Sequence, residues 1–199
     1  MIHSITEWIA VNYVELLGAI LGLIYIYLSI RQKILTWPVG LLSSVFYILI
    51  FFQARLYAGM GLQVYYAAMS IYGWYYWVKG ENNTTGEKLN VSYTKPFEWI
   101  MIAAAFFVVL ILIVMVLKNY TDSDVPFIDA FTTTAGIIAT WMMARKLIEN
   151  WIIWVFTDLI SVFLYIEKQL WVTALLYLVF TTMAILGFIE WRKNLKRLN

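Results

Sequence analysis

The chain has no cysteine, one histidine and three prolines, and only 13% of its 199 residues are charged. Each shortage excludes something. Without cysteine there is no disulfide, no thiolate nucleophile and no thiolate-held metal. With His3 as the sole imidazole, neither a histidine metal centre nor a Ser-His-Asp triad can be built. The chain also lacks a glycine-rich phosphate loop and a second carboxylate at the depth of its most buried one, so no enzyme, cofactor or metal is expected. The first ten residues hold Glu7 and no basic stretch, so no cleavable leader is expected. A net charge of +2 says little by itself, and no nucleic-acid partner is expected.

What the chain has instead is apolar surface: 63% of residues are hydrophobic and 18% aromatic. A soluble domain carries about 25% charged residues, roughly twice the share found here. Apolar runs recur along the whole length and read as seven membrane-spanning helices at 12–30, 37–53, 59–78, 97–117, 127–144, 150–166 and 170–190. The expected fold is all-α and polytopic. One longer polar stretch, within 79–96, contains GENNTTGEKLNVSYTKP and has turn chemistry without apolar periodicity. It reads as a linker between two halves. With the N-terminus outside, eleven of the fourteen basic residues fall on the cytoplasmic side. The three on the outer side, Arg55, Lys118 and Lys168, have Asp122, Asp124 and Glu167 nearby. The positive-inside rule therefore places the N-terminus outside and the C-terminus inside.

The two halves repeat. Shifting the chain by 114 residues aligns 15–77 with 129–191 without a gap, and 11 of the 63 pairs are identical. Gly22 meets Gly136, Arg31 meets Arg145, Trp37 meets Trp151, Gly73 meets Gly187 and Trp77 meets Trp191, while Glu15 meets Asp129. The expected organisation is a first three-helix repeat at 12–78, a cytoplasmic linker at 79–96, a connecting helix at 97–117 and a second repeat at 127–191. One connecting helix gives both repeats the same orientation, an arrangement used by transporters that hold substrate at the midplane between the halves.

Polar residues line single helix faces. In the sixth span, Trp151, Trp154, Asp158, Ser161 and Tyr165 follow spacings of 3, 4, 3 and 4, one face of a helix. The matching stripe in the second span is Trp37, Gly40, Ser44, Tyr47 and Phe51, and the third span presents Gln63, Tyr66, Ser70 and Gly73. Trp37, Trp77, Trp151 and Trp191 stand near helix ends and are equally well read as interfacial anchors. Thr132, Thr133 and Gly136 suit helix packing, and Glu98 and Asp129 suit capping. Asp158 differs from all of these. It stands about eight residues from either end of its span, near the bilayer centre at about 1.5 Å per residue. An ionised group there costs about 2.5–3.5 kcal/mol or more. The structural alternative is a protonated carboxyl bonded to a neighbouring helix through Gln63 or Tyr47; the functional one is a substrate or proton pathway.

A carboxylate one and two turns from tryptophans suits a flat aromatic cation, held by stacking, cation–π attraction and countercharge. Hydroxyls or an amide on that molecule could bond to Gln63, Ser44, Tyr47, Tyr66 and Ser161. A pyridinium nucleoside and thiamine both fit the description. The stretches WPVGLLSSVFY (37–47), LQVYYAAMSIYGWYYW (62–77) and ARKLIENWIIWVFTDLISVFLY (144–165) resemble the Pnu vitamin transporters, the nicotinamide riboside type in particular. The motif Trp-x2-Trp-x3-Asn/Asp, here Trp151, Trp154 and Asp158, carries most of the likeness. The resemblance implies seven helices arranged 3+1+3 and a multi-pass protein of the bacterial inner membrane. It implies facilitated diffusion of an unphosphorylated vitamin precursor, nicotinamide riboside or thiamine, trapped by a cytoplasmic kinase, and often a homotrimer. It also implies substrate contacts from Trp151, Trp154, Asp158 and Gln63.

Overall fold

The computed structural model describes residues 17–18, 20–53, 57–81, 89–121, 125–167, 169 and 171–198. His3, Glu7, Glu15, Arg55, Lys88, Asp122, Asp124 and Lys168, which enter the charge and repeat patterns above, lie outside them. Among the described residues, seven helices are present: α1 (Ile20–Ile30), α2 (Thr36–Gln53), α3 (Tyr57–Glu81), α4 (Pro96–Tyr120), α5 (Pro126–Ala144), α6 (Asn150–Glu167) and α7 (Trp171–Leu198). Helices α2 to α6 match their expected spans to within a few residues; α1 ends where its span does, at residue 30, while most of the start expected from residue 12 lies outside the described residues, and α7 runs two turns further. Among the described residues, four helices are long and apolar enough to cross a membrane on their own: α4, α5, α6 and most of α7. All three prolines sit in first helical turns, at Pro38, Pro96 and Pro126, where a missing N–H costs nothing. Glu98 accepts the Lys95 backbone N–H at 2.9 Å and so caps α4, as an acid in a first turn should.

The chain forms two compact units, 1–87 and 88–199. In the first, α1 and α2 meet where the Tyr25 ring lies against Gly40, and the Tyr47 ring of α2 lies against Gly18, just ahead of α1. The Ser43 hydroxyl donates to the Gly18 carbonyl at 3.3 Å. Helices α2 and α3 form a hairpin, as α6 and α7 do in the second unit, where α4 and α5 also pack together. Helix α4 is largely exposed, with Ile102 and Leu110 buried and Phe106 edge-on to Phe131.

The two units share backbone detail at the 114-residue offset. Helix α1 ends with Gln32 N–H to Ser29 O (3.1 Å) and Lys33 N–H to Leu28 O (3.0 Å). Helix α5 ends with Lys146 N–H to Met143 O (3.0 Å) and Leu147 N–H to Met142 O (2.9 Å). Both are Schellman closures, whose C′ residue is left-handed. That residue is Gln32 (φ 53°) in one and Lys146 (φ 54°) in the other. A side chain there costs about 1–2 kcal/mol. Gln32→Gly is therefore expected to stabilise the folded protein by up to about 1 kcal/mol, net of glycine's greater freedom in the unfolded chain. A lower melting temperature for that variant would contradict this account of the turn.

Candidate functional site

Trp37 and Trp77 meet edge to face in the first unit at 5.2 Å and 89°; Trp151 and Trp191 do so in the second at 5.4 Å and 88°. All four are buried, so they are packed inside the protein and not spread at a lipid interface. A glycine makes each slot. A Cβ on Gly73 would stand 2.5 Å from the Trp37 ring, and one on Gly187 would stand 2.6 Å from the Trp151 ring. The Gly-x3-Trp spacing thus puts a gap and an edge-on ring one turn apart on the same face.

The candidate site lies on α6 of the second unit. Trp151 anchors one end of its polar stripe against Trp191, and Tyr165 anchors the other by packing on Tyr177 at 5.1 Å. Asp158 is midway, seven residues from each. Seven residues are two turns with a drift of about 20°, so Asp158 points nearly the way its two aromatic neighbours do. Over the same stretch the buried residues of α7 are Thr181, Ala184 and Gly187, small side chains of the kind that let two helices approach closely.

Asp158 is 5% exposed. No hydrogen bond or ion pair to its carboxyl is present among the described residues. Ser161 and Thr157, also buried, turn their hydroxyls back onto Thr157 O (2.9 Å) and Ile153 O (2.8 Å), the usual way a membrane helix satisfies them. Among the described residues, the indole N–H groups of Trp151 and Trp154 are buried without a hydrogen-bond partner, each a cost of about 1–3 kcal/mol unless met by a ligand or water. Two unpaired donors and one acceptor, Asp158, therefore belong to a single helix face.

The remaining expected residues lie in the first unit: Ser44, buried, and Tyr47, half-buried, on α2, with Gln63 and Tyr66, both half-buried, on α3. Tyr47 fills its place by packing on Gly18; the aligned pair in the second unit is Ser161 and Thr132. Tyr25 against Gly40 in the first unit aligns with Ala139 and Trp154 in the second. A large side chain has changed helices, and Trp154 gains on α6 the bulk that α1 holds in the first unit. Sequence reasoning did not single out Tyr177, which aligns with Gln63 and packs on Tyr165. The repeat alignment was the signal for it.

A cleft of about 360 Å³ opens elsewhere in this unit, among Trp99, Phe106, Phe107, Ile138, Ile153 and Phe156. Its lining carries almost no polar surface and does not include Asp158, so it suits lipid tails and not a charged solute.

Residues 12–193 match the family model described as nicotinamide mononucleotide transporter. The nicotinamide riboside transporter PnuC of Escherichia coli (strain K12) is 28% identical over 204 residues, covering 90% of this chain and 85% of that protein. The riboflavin/roseoflavin transporter RibM of Streptomyces davaonensis is 29% identical over 180 residues, covering 89% and 83%. The crystal structure of the vitamin B3 transporter PnuC superposes with a TM-score of 0.74 at 20% identity, over 98% of this chain and 87% of the other; it establishes the all-α, seven-helix fold. The protein is thus a multi-pass protein of the bacterial inner membrane and a carrier, not an enzyme, and it belongs to the family of nicotinamide mononucleotide transporters.

Proposed function

We propose that this chain takes up nicotinamide riboside by facilitated diffusion with alternating access. The observation that carries the reading is Asp158, buried and unpaired among the described residues, on a face with Trp151 and Trp154. The pyridinium supplies the missing positive charge, and an aromatic face suits its flat ring. Trp154, half-buried, is the better placed of the two to stack, since Trp151 is held in its slot by Gly187 and Trp191; Trp151 has an indole N–H to offer. Ser161 follows Asp158 on the same face, and for Gln63, Ser44, Tyr47 and Tyr66 the assignment of hydrogen bonds to amide and ribose rests on side-chain chemistry.

The family's description names the mononucleotide, and charge argues against it. A phosphomonoester adds about −1.5 to −2 charges, and α6 has no Lys or Arg along its length to receive them. Beside Asp158 such a group would be repelled. The relatives named for the riboside agree with this choice. Thiamine, also cationic, is the runner-up; riboflavin is neutral and gains no countercharge from the carboxylate, although one relative is named for it.

The rest of the proposal follows from the same likeness and from the distribution of charge. The N-terminus is outside and the C-terminus inside, a cytoplasmic kinase traps the riboside, and three copies assemble. Titration of the purified protein with nicotinamide riboside, its mononucleotide, thiamine and riboflavin tests the substrate. The riboside is expected to bind at least about tenfold more tightly than the mononucleotide, a difference of 1.4 kcal/mol. Preference for thiamine, or binding of none of the four, would overturn the assignment.

A further inference from the structure

One acid at the head of α6 has no part in the binding face described above. Glu149 immediately precedes the helix, and both of its carboxylate oxygens are engaged by Thr94: the backbone N–H donates at 3.0 and 3.1 Å and the hydroxyl at 2.8 Å. The surrounding segment is fastened to the α5–α6 turn at further points. Ser92 N–H donates to Lys146 O (3.1 Å) and Ile148 N–H to Ser92 O (3.0 Å), a single parallel β-bridge. The Lys146 ammonium donates to Leu89 O at 3.0 Å, and Val91, Thr94, Leu147 and Ile148 are buried around the seam. Residues 89–95 form a strap over the turn that opens α6, and the strap runs directly into α4 at Pro96.

The first unit has the same turn without this acid. Its residues 31–36 follow the same backbone course, but Leu35 stands where the second unit has Glu149, and it is 62% exposed. Only the half that carries Asp158 has an acid at this place. The clamp lies two residues before Trp151, so the start of the substrate face cannot rotate or tilt without carrying the strap along. A carboxylate is well suited to such a clamp, because it offers two acceptors at once and its charge is favourable at a helix N-terminus.

We propose that Glu149 is a positioning residue for substrate binding, clamping the 89–95 strap across the start of α6 and so setting the rotation at which Trp154 and Asp158 are presented. The role rests on the assignment of that face to nicotinamide riboside. Groups that bind with preorganised geometry lose affinity when their support loosens, even where the fold persists.

The test compares full-length wild-type protein with Glu149→Ala, Glu149→Gln and Thr94→Val, using amide hydrogen exchange, riboside titration and uptake. In Glu149→Ala, exchange of the amides of 92–94 and 148–153 is expected to rise at least tenfold. The dissociation constant should rise about tenfold, while the maximal uptake rate per folded molecule changes less than twofold. Glu149→Gln keeps one acceptor and should fall between; Thr94→Val, the milder lesion should Glu149→Ala not fold, should shift affinity two- to threefold in the same direction. Unchanged affinity in folded Glu149→Ala, or unchanged exchange along the strap, overturns the positioning role. If the wild-type protein itself binds no riboside, the substrate assignment falls first and this role falls with it.

Discussion

Asp158→Ala is expected to weaken nicotinamide riboside binding by more than about tenfold, or 1.4 kcal/mol, while leaving the protein as stable as before or more so. The two effects have one cause. A buried carboxylate without a partner is a cost in the empty protein, of order 2.5–3.5 kcal/mol if ionised at the membrane centre. Asp158 is such a group: it is 5% exposed and unpaired among the described residues. Removing it relieves the empty state and deprives the cation of its countercharge. A residue kept for packing would behave in the opposite way, losing stability on truncation and leaving the affinity of the folded fraction alone. Thermal unfolding and riboside titration on one preparation separate the cases, and lower stability with unchanged affinity would return Asp158 to a structural role.

The second large effect is expected at the tryptophan slots. Gly187→Ala places a methyl group 2.6 Å from the ring of Trp151, which is 1% exposed and held edge-on to Trp191. A fully buried indole has no direction in which to retreat, so the helices must separate or the ring must leave its rotamer. Overpacking of this kind costs about 1–3 kcal/mol, and the melting temperature should fall by roughly 2–4 °C for each of them. Gly73→Ala meets the Trp37 ring at 2.5 Å and should cost a similar amount. Gly61→Ala is the control: nothing lies within 4 Å of its added methyl, and alanine is favoured over glycine in a helix by up to about 1 kcal/mol. Equal stability for all three variants would contradict the slot.

How far these features can be read from the sequence depends on the physics behind each. The helices are legible because apolar runs recur along the chain, most plainly in α4 to α7, which are long and apolar enough to cross a membrane on their own. The C-terminal end of α7 is not, because Arg192, Lys193 and Lys196 end the apolar run without ending the helix; Lys and Arg are good helix formers, and buried Leu195 ties the added turns down. The repeat exposes the Gly-x3-Trp spacing, but not that the glycine's missing side chain is the point. Position near a helix end leaves Trp37, Trp77, Trp151 and Trp191 balanced between interfacial anchoring and internal packing. Their burial decides for packing.

The α6 stripe is legible as a face because its spacing is helical, and Asp158 is conspicuous because charge at that depth is expensive. The strap at 89–95 is a different matter. It is held largely through backbone groups of Leu89, Ser92 and Thr94, so its residues carry no apolar period, and they read as part of a polar linker. Only the acid that grips it, Glu149, leaves a trace, as a departure from Leu35 in the repeat alignment.

The central claim is that Asp158 serves as countercharge to a cationic ring. The reduced, dihydropyridine form of nicotinamide riboside keeps nearly the same shape and hydroxyls but carries no positive charge. Titrating both forms against the wild-type protein and Asp158→Asn isolates that one charge. The wild-type protein is expected to prefer the cation by at least about tenfold and Asp158→Asn to lose most of that preference; an equal preference in both proteins would contradict the account.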